Sequence, residues 1–229
     1  MKVVIVKYNA GNIQSVLYAL ERIGVDAVVT DDHEDIVSAD KVIFPGVGEA
    51  STAMSYLKQR NIDQLIKQLK QPVLGICLGM QLMCKHSEEN DTDCLGIFDE
   101  RVKRFSSHTG QEQNSSFQEE TYELASVHKD GGWKEPELKD KIIYKIPQIG
   151  WNTVFNLKTG LFRNVAERSY IYLVHSYYAS LGDHTIATAD YVQFYSAALH
   201  RDNFYGVQFH PEKSAEAGEQ ILRNFIEYL

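Results

Sequence analysis

The chain has little cysteine, little proline and a deficit of positive charge. Its three cysteines are Cys77, Cys84 and Cys94. An odd count without a CxxC pair suggests neither a disulfide framework nor a zinc site, and a reducing cytoplasm is the expected location. Lys and Arg total 23 against 31 Asp and Glu, a formal net charge of −8, which argues against a nucleic-acid-binding surface. No apolar run approaches the roughly 20 residues that cross a bilayer. The opening Met1-Lys2-Val3-Val4-Ile5-Val6-Lys7 is too short an apolar stretch for a secretory signal, so none is expected. No histidine or cysteine grouping has metal-ligand spacing, and neither a metal nor a cofactor is expected.

What is present suits one α/β domain over residues 1–229. Hydrophobic residues make up 44% and charged residues 24%, ordinary values for a globular protein. Residues 2–6 form a β-branched run, the mark of a strand buried in a parallel sheet. Ile13, Val16, Leu17, Leu20 and Ile23 recur at helical spacing, with Gly24 as the stop. Residues 25–29 and 41–44 read as further strands, and 51–59 and 62–69 as helices. This start predicts an open, mostly parallel central sheet flanked by helices, of flavodoxin-like type. From Pro147 onward, strands at 149–154, 170–178, 185–189, 196–200 and 205–209 follow one another without helices, which predicts antiparallel pairing in the C-terminal half. A last helix at 215–228 carries Ile221, Phe225 and Ile226 on one face. Between the halves, residues 106–141 are polar and read as an inserted or extended loop; His108 and His128 within it are expected to be exposed structural residues.

The chain's chemistry centres on Gly75-Ile76-Cys77-Leu78-Gly79. An apolar strand precedes it and a helix over 80–85 follows. A nucleophile between glycines at a strand-to-helix turn is a nucleophile elbow. The turn is too tight for a Cβ at its flanks, and the apex side chain projects away from the sheet. The helix N-terminus behind the thiol favours thiolate, and the amide of Leu78 is placed for a developing oxyanion. The pentapeptide alone also fits a small apolar core cysteine. Pro45-Gly46-Val47-Gly48 ends the 41–44 strand. It lacks the third glycine of a dinucleotide loop and the Lys-Ser/Thr of a phosphate loop. An amide from Gly46, Val47 or Gly48 can serve as a second oxyanion donor, because ligands bind beyond the carboxyl ends of such strands.

A cysteine nucleophile needs a base. Gln208-Phe209-His210-Pro211-Glu212-Lys213-Ser214 follows a buried-looking strand and precedes the last helix. His210 is the candidate base, and Glu212 can hold its tautomer through the far ring nitrogen. A capping turn with an incidental histidine is the other reading. His175, on a strand among tyrosines, reads as packed and hydrogen-bonded.

Together with Tyr8-Asn9-Ala10-Gly11-Asn12, Ile149-Gly150-Trp151-Asn152 and Val174-His175-Ser176-Tyr177-Tyr178, these motifs closely resemble the class I (triad) glutamine amidotransferases. Within that family the likeness is to the glutaminase subunits of imidazole glycerol phosphate synthase. It spans the chain except for the polar segment. The resemblance implies a Cys77–His210–Glu212 triad that hydrolyses L-glutamine to glutamate and ammonia through a glutamyl thioester. It implies that Gln81, with backbone near Gly48, Ser176 and Tyr177, contacts the substrate's amino-acid end. It also implies a heterodimer with a (β/α)8 cyclase of the HisF type, which receives the ammonia in histidine biosynthesis, with Asn12, Trp151, Tyr172 and Lys213 near the interface. A paralogous subunit serving an amidation in surface-sugar synthesis, a non-catalytic partner-binding homologue and a stand-alone cysteine hydrolase are the other readings.

Overall fold

The computed structural model describes residues 1–9, 11–106 and 144–229. Ala10 and the polar segment beyond Ser106, with His108 and His128, lie outside the described residues. The N-terminal half runs β1 (Val3–Val6), α1 (Ile13–Arg22), β2 (Ala27–Thr30), α2 (His33–Val37), β3 (Lys41–Gly46), α3 (Ala50–Gln59), α4 (Ile62–Gln68), β4 (Val73–Cys77) and α5 (Leu78–Met83). Strands β2, β1, β3 and β4 lie side by side and parallel, as the apolar runs predict. Helix α2 carries no sequence expectation, since five residues are too few for a period. Its cause is local: the Asp32 carboxylate accepts from the amides of Glu34 and Asp35 at 2.9 and 3.1 Å.

The remaining elements are β5 (His86–Ser87), β6 (Thr92–Asp93), β7 (Arg101–Arg104), β8 (Gln148–Val154), β9 (Ser169–His175), β10 (Tyr177–Ala179), β11 (Thr185–Asp190), β12 (Phe194–Arg201), β13 (Phe204–Val207) and α6 (Ala215–Tyr228). The main sheet has the order β2-β1-β3-β4-β13-β12-β10-β7-β5-β6, with β11 on β12. Two expectations are corrected here. The 205–209 strand is antiparallel to β12 but parallel to β4, pairing Phe204 with Val73 and Val207 with Ile76. A hairpin decides only one of a strand's two edges, and the other edge of β13 completes the parallel half. The 170–178 strand breaks at Ser176. Its first part pairs with β8 in a separate two-stranded sheet, and its second joins the main sheet as β10.

Alternate side chains along the strands fill two cores. On one face Ile5, Ile43 and Ile76 pack with Leu20 of α1 and Phe225 of α6. On the other, Val4, Phe44 and Val73 pack with Leu57 of α3, Ile66 of α4 and Met80 of α5. Among the described residues no helix is long and apolar enough to cross a membrane.

Candidate active site

Cys77 is the last residue of β4 and the N-cap of α5, with φ 53° and ψ −109°, a region that side-chain-bearing residues rarely occupy. The flanking glycines explain how the turn is accommodated. A Cβ on Gly79 would fall on the Phe44 carbonyl oxygen of β3, and one on Gly75 would lie 2.8 Å from the Met80 amide nitrogen. The elbow is thus wedged against the neighbouring strand, and its strain is held by surroundings that leave no room for an alternative.

The parallel pairing of β13 with β4 brings the second group alongside. Both strands leave the sheet at the same end, so the residues after β13 rise next to Cys77. His210 is fixed by its backbone: its N–H donates to the Tyr172 carbonyl at 2.9 Å, and its carbonyl accepts from the Ser214 hydroxyl at 2.6 Å. Its Nδ1 donates to Glu212 Oε1 at 2.8 Å, with both side chains almost wholly buried. Asn12 Nδ2 donates to the same carboxylate oxygen and lies 3.5 Å from His210 Nδ1. With Nδ1 committed to Glu212, Nε2 remains on the side of Cys77, which borders the same cavity as His210. Burial works against the imidazolium, but the pull of Cys77 and of the Glu212 carboxylate outweighs it, and the His210 pKa is pushed up to about 10.

His175 is the opposite case. Burial pulls its pKa down to about 4, against the hydrogen bond of Nδ1 to the Tyr177 carbonyl at 2.7 Å, and its ring packs on Phe105 and Tyr195. It is a neutral, packed residue, as its strand setting predicts.

A cavity of about 350 Å³ opens over the sulfur, bounded by Val47, Gly48, Cys77, Leu78, Gln81, Glu89, Pro147, Val174, His175, Ser176, Tyr177, His210 and Lys213. Gln81 is almost wholly buried. Its Nε2 donates to the Tyr177 carbonyl and to Gln208 Oε1, both at 2.9 Å, so its two hydrogens are spent and only Oε1 remains as an acceptor. Tyr8 lies beneath Gly46: its ring packs on Phe44, and its buried hydroxyl has no hydrogen-bond partner among the described residues.

This arrangement has counterparts. The family model described as Glutamine amidotransferase class-I matches residues 4–228. The chain belongs to the class I glutamine amidotransferases. It is 52% identical over 227 residues to the "Imidazole glycerol phosphate synthase subunit HisH" of Bacteroides fragilis, covering 99% of this chain and 100% of that one. It is 39% identical to the protein of the same name from Vibrio parahaemolyticus, over 99% and 98% of the two chains. Among solved structures, a putative GMP synthase subunit from Thermoplasma acidophilum superposes with TM-score 0.66 at 18% identity, over 99% of this chain and 92% of that one. The structure of PurLQS from Thermotoga maritima superposes with TM-score 0.65 at 15% identity, over 99% and 98%. At such identities the structural likeness shows the fold.

In this amidotransferase the expected site residues divide into three groups. His210 is bonded to Glu212, and Cys77 and His210 border the same cavity. Leu78, Val47, Gly48, Gln81, Ser176, Tyr177 and Lys213 bound the cavity, while Gly46 sits behind it over Tyr8. Asn12 turns onto Glu212, and Trp151 and Tyr172 lie outside the cavity as a cross-strand pair with ring centroids 5.8 Å apart. Sequence reasoning assigns no role to Tyr8, Glu89 or Gln208. Gln208 has a legible cue, standing two residues before His210 within the same motif. Glu89 lies in a polar run without period, and nothing local marks it.

Proposed function

We propose that this amidotransferase is the glutaminase subunit of an imidazole glycerol phosphate synthase, with Cys77, His210 and Glu212 as its triad. The observation that carries the triad is the Glu212-bonded His210 bordering, with Cys77, one cavity of about 350 Å³. The Cys77 sulfur attacks the carboxamide carbon of glutamine. The oxyanion that forms meets the first backbone N–H groups of α5, at Leu78, and the Val47-Gly48 end of the loop after β3. His210, charged at neutral pH, gives its proton to the departing ammonia, and then draws one from the water that cleaves the thioester.

Glu89 and the free Oε1 of Gln81 supply acceptors for the substrate's α-ammonium. The Glu89 carboxylate is partly buried beside the cavity and accepts from the Ala50 amide at 2.7 Å. Lys213, which also borders the cavity, carries the charge that suits the α-carboxylate.

The partner is a (β/α)8 cyclase of the HisF type that takes up the ammonia. The names of the curated relatives, each a synthase subunit, support a partner of this kind. A surface feature also supports it. On the β8–β9 sheet Ile149 is 59% exposed, Trp151 54% and Tyr170 65%, a cluster of large apolar side chains that a lone chain in water gains nothing by exposing. That sheet is tied to the chemistry, because the Tyr172 carbonyl accepts the His210 amide and the Tyr172 amide donates to Ser214. A partner seated there would bear directly on the catalytic turn.

The test is glutaminase assay of the purified chain with and without a HisF-type cyclase, alongside Cys77→Ala. We expect activity that rises with the cyclase and vanishes in the variant while the complex still forms. Undiminished glutamate production by Cys77→Ala would end the proposal.

A further inference from the structure

Gln208 is a wholly buried amide that the steps above leave without a task. It stands directly after β13, its backbone N–H on the Ala197 carbonyl at 2.9 Å, so its position is set by the sheet. The orientation of its side chain is set as well. Gln81 Nε2 donates to the Tyr177 carbonyl and therefore must be the amino group; the atom of Gln208 that it meets at 2.9 Å must then be the oxygen. This leaves the Gln208 amino group facing Cys77, with Nε2 3.7 Å from Sγ. On another side the sulfur faces the Val174 carbonyl at 4.0 Å, an acceptor that suits only a thiol. The sulfur thus sits between an acceptor for its protonated form and a donor, Gln208, for its anion, with His210 bordering the same cavity.

We propose that Gln208 is a positioning residue for the nucleophile: its amide N–H holds the anionic sulfur of Cys77 in place, and its carbonyl, gripped by Gln81, ties that hold to the wall of the glutamine pocket. A neutral donor suits this task. A second cation at Gln208 would compete with His210, and an acceptor would repel the thiolate. The chargeable groups around the sulfur are His210 from the turn after β13, Glu212 behind it, Tyr8 after β1, His175 at the end of β9, and Glu89 and Lys213 on the cavity rim. None of these is altered by changing Gln208. The proposal rests on Cys77 being the nucleophile.

The experiment compares the full-length parent with Gln208→Met, which removes the donor at equal length, and Gln208→Glu, which keeps the acceptor for Gln81 but turns an oxygen toward the sulfur. The readout is the pH profile of Cys77 alkylation by iodoacetamide, followed by mass spectrometry of the Cys77 peptide. Partner-stimulated glutaminase kinetics are measured on the same proteins. We expect the alkylation profile to move to higher pH in Gln208→Met and further in Gln208→Glu. We also expect kcat to fall by about tenfold to a hundredfold, the range for one hydrogen bond to a charged group, with KM little changed in Gln208→Glu. Superimposable profiles in the three folded proteins, or a Glu variant at least as reactive as the Met variant, would overturn the proposal. Should Met prevent folding, the isosteric Glu variant decides alone, by the same profile. A parent whose Cys77 resists alkylation while Cys84 and Cys94 react would instead refute the nucleophile assignment itself.

Discussion

Replacing Glu212 by Gln is a sharper test of the site than replacing it by Ala. In many triads the amide variant fails because its NH2 group turns toward the histidine and forces the wrong tautomer, at a cost of about ten-thousandfold in rate. Here Asn12 Nδ2 already donates to the same oxygen that accepts from His210 Nδ1. Two donors converge on one atom, so an amide at position 212 is held with its oxygen toward the histidine and its NH2 in the place of Oε2. That place is buried and offers Oε2 no partner among the described residues, so the unpaired NH2 costs about 1–3 kcal/mol of folding stability. The tautomer survives. What is lost is the charge on the acceptor, worth about tenfold to a hundredfold in kcat/KM. Asn12→Ala alone removes one hydrogen bond, about tenfold. In the double variant nothing restrains the amide, the wrong tautomer becomes accessible, and the loss should approach the ten-thousandfold figure, beyond the product of the two single losses. The assay is cyclase-stimulated glutamate release, with urea midpoints to monitor folding. Losses that simply multiply, or a Glu212→Gln enzyme as inactive as the double variant, would refute the reasoning.

Three further expectations follow from the geometry. Gly79→Ala drives a methyl onto the Phe44 carbonyl, so α5 must move; we expect a loss of about 1–3 kcal/mol in stability by chemical denaturation and of about a hundredfold in kcat from the displaced sulfur. Tyr8→Phe removes a buried hydroxyl that has no partner among the described residues, so its urea midpoint should equal or exceed that of the parent, and a clear destabilisation would show that the hydroxyl is bonded. The pKa of His210 is raised in the folded protein, so the stabilisation it carries is complete below about pH 6.5 and fades as pH rises through about 10. Urea midpoints at pH 6 and pH 10 should differ more in the parent than in His210→Gln, and equal differences would contradict the charge assignment.

The sequence alone determined the parts of this protein that depend on neighbours along the chain. The elbow is legible because glycines at both flanks of Cys77 answer a local steric demand. The pairing of His210 with Glu212 is legible because a single proline-led turn spans them. The parallel half is legible because its strands are continuous apolar runs. Only the tertiary structure decided what depends on which strands become neighbours. Gln208 and Cys77 are 131 residues apart, and they meet because β13 enters the sheet beside β4. Asn12 reaches Glu212 across 200 residues for the same kind of reason. A backbone edge accepts a parallel or an antiparallel partner with similar hydrogen bonding, and a lone Asn or Gln has no periodicity to reveal its direction. Long-range pairing of this sort is chosen by the packing of the whole sheet, and no single stretch of sequence records it.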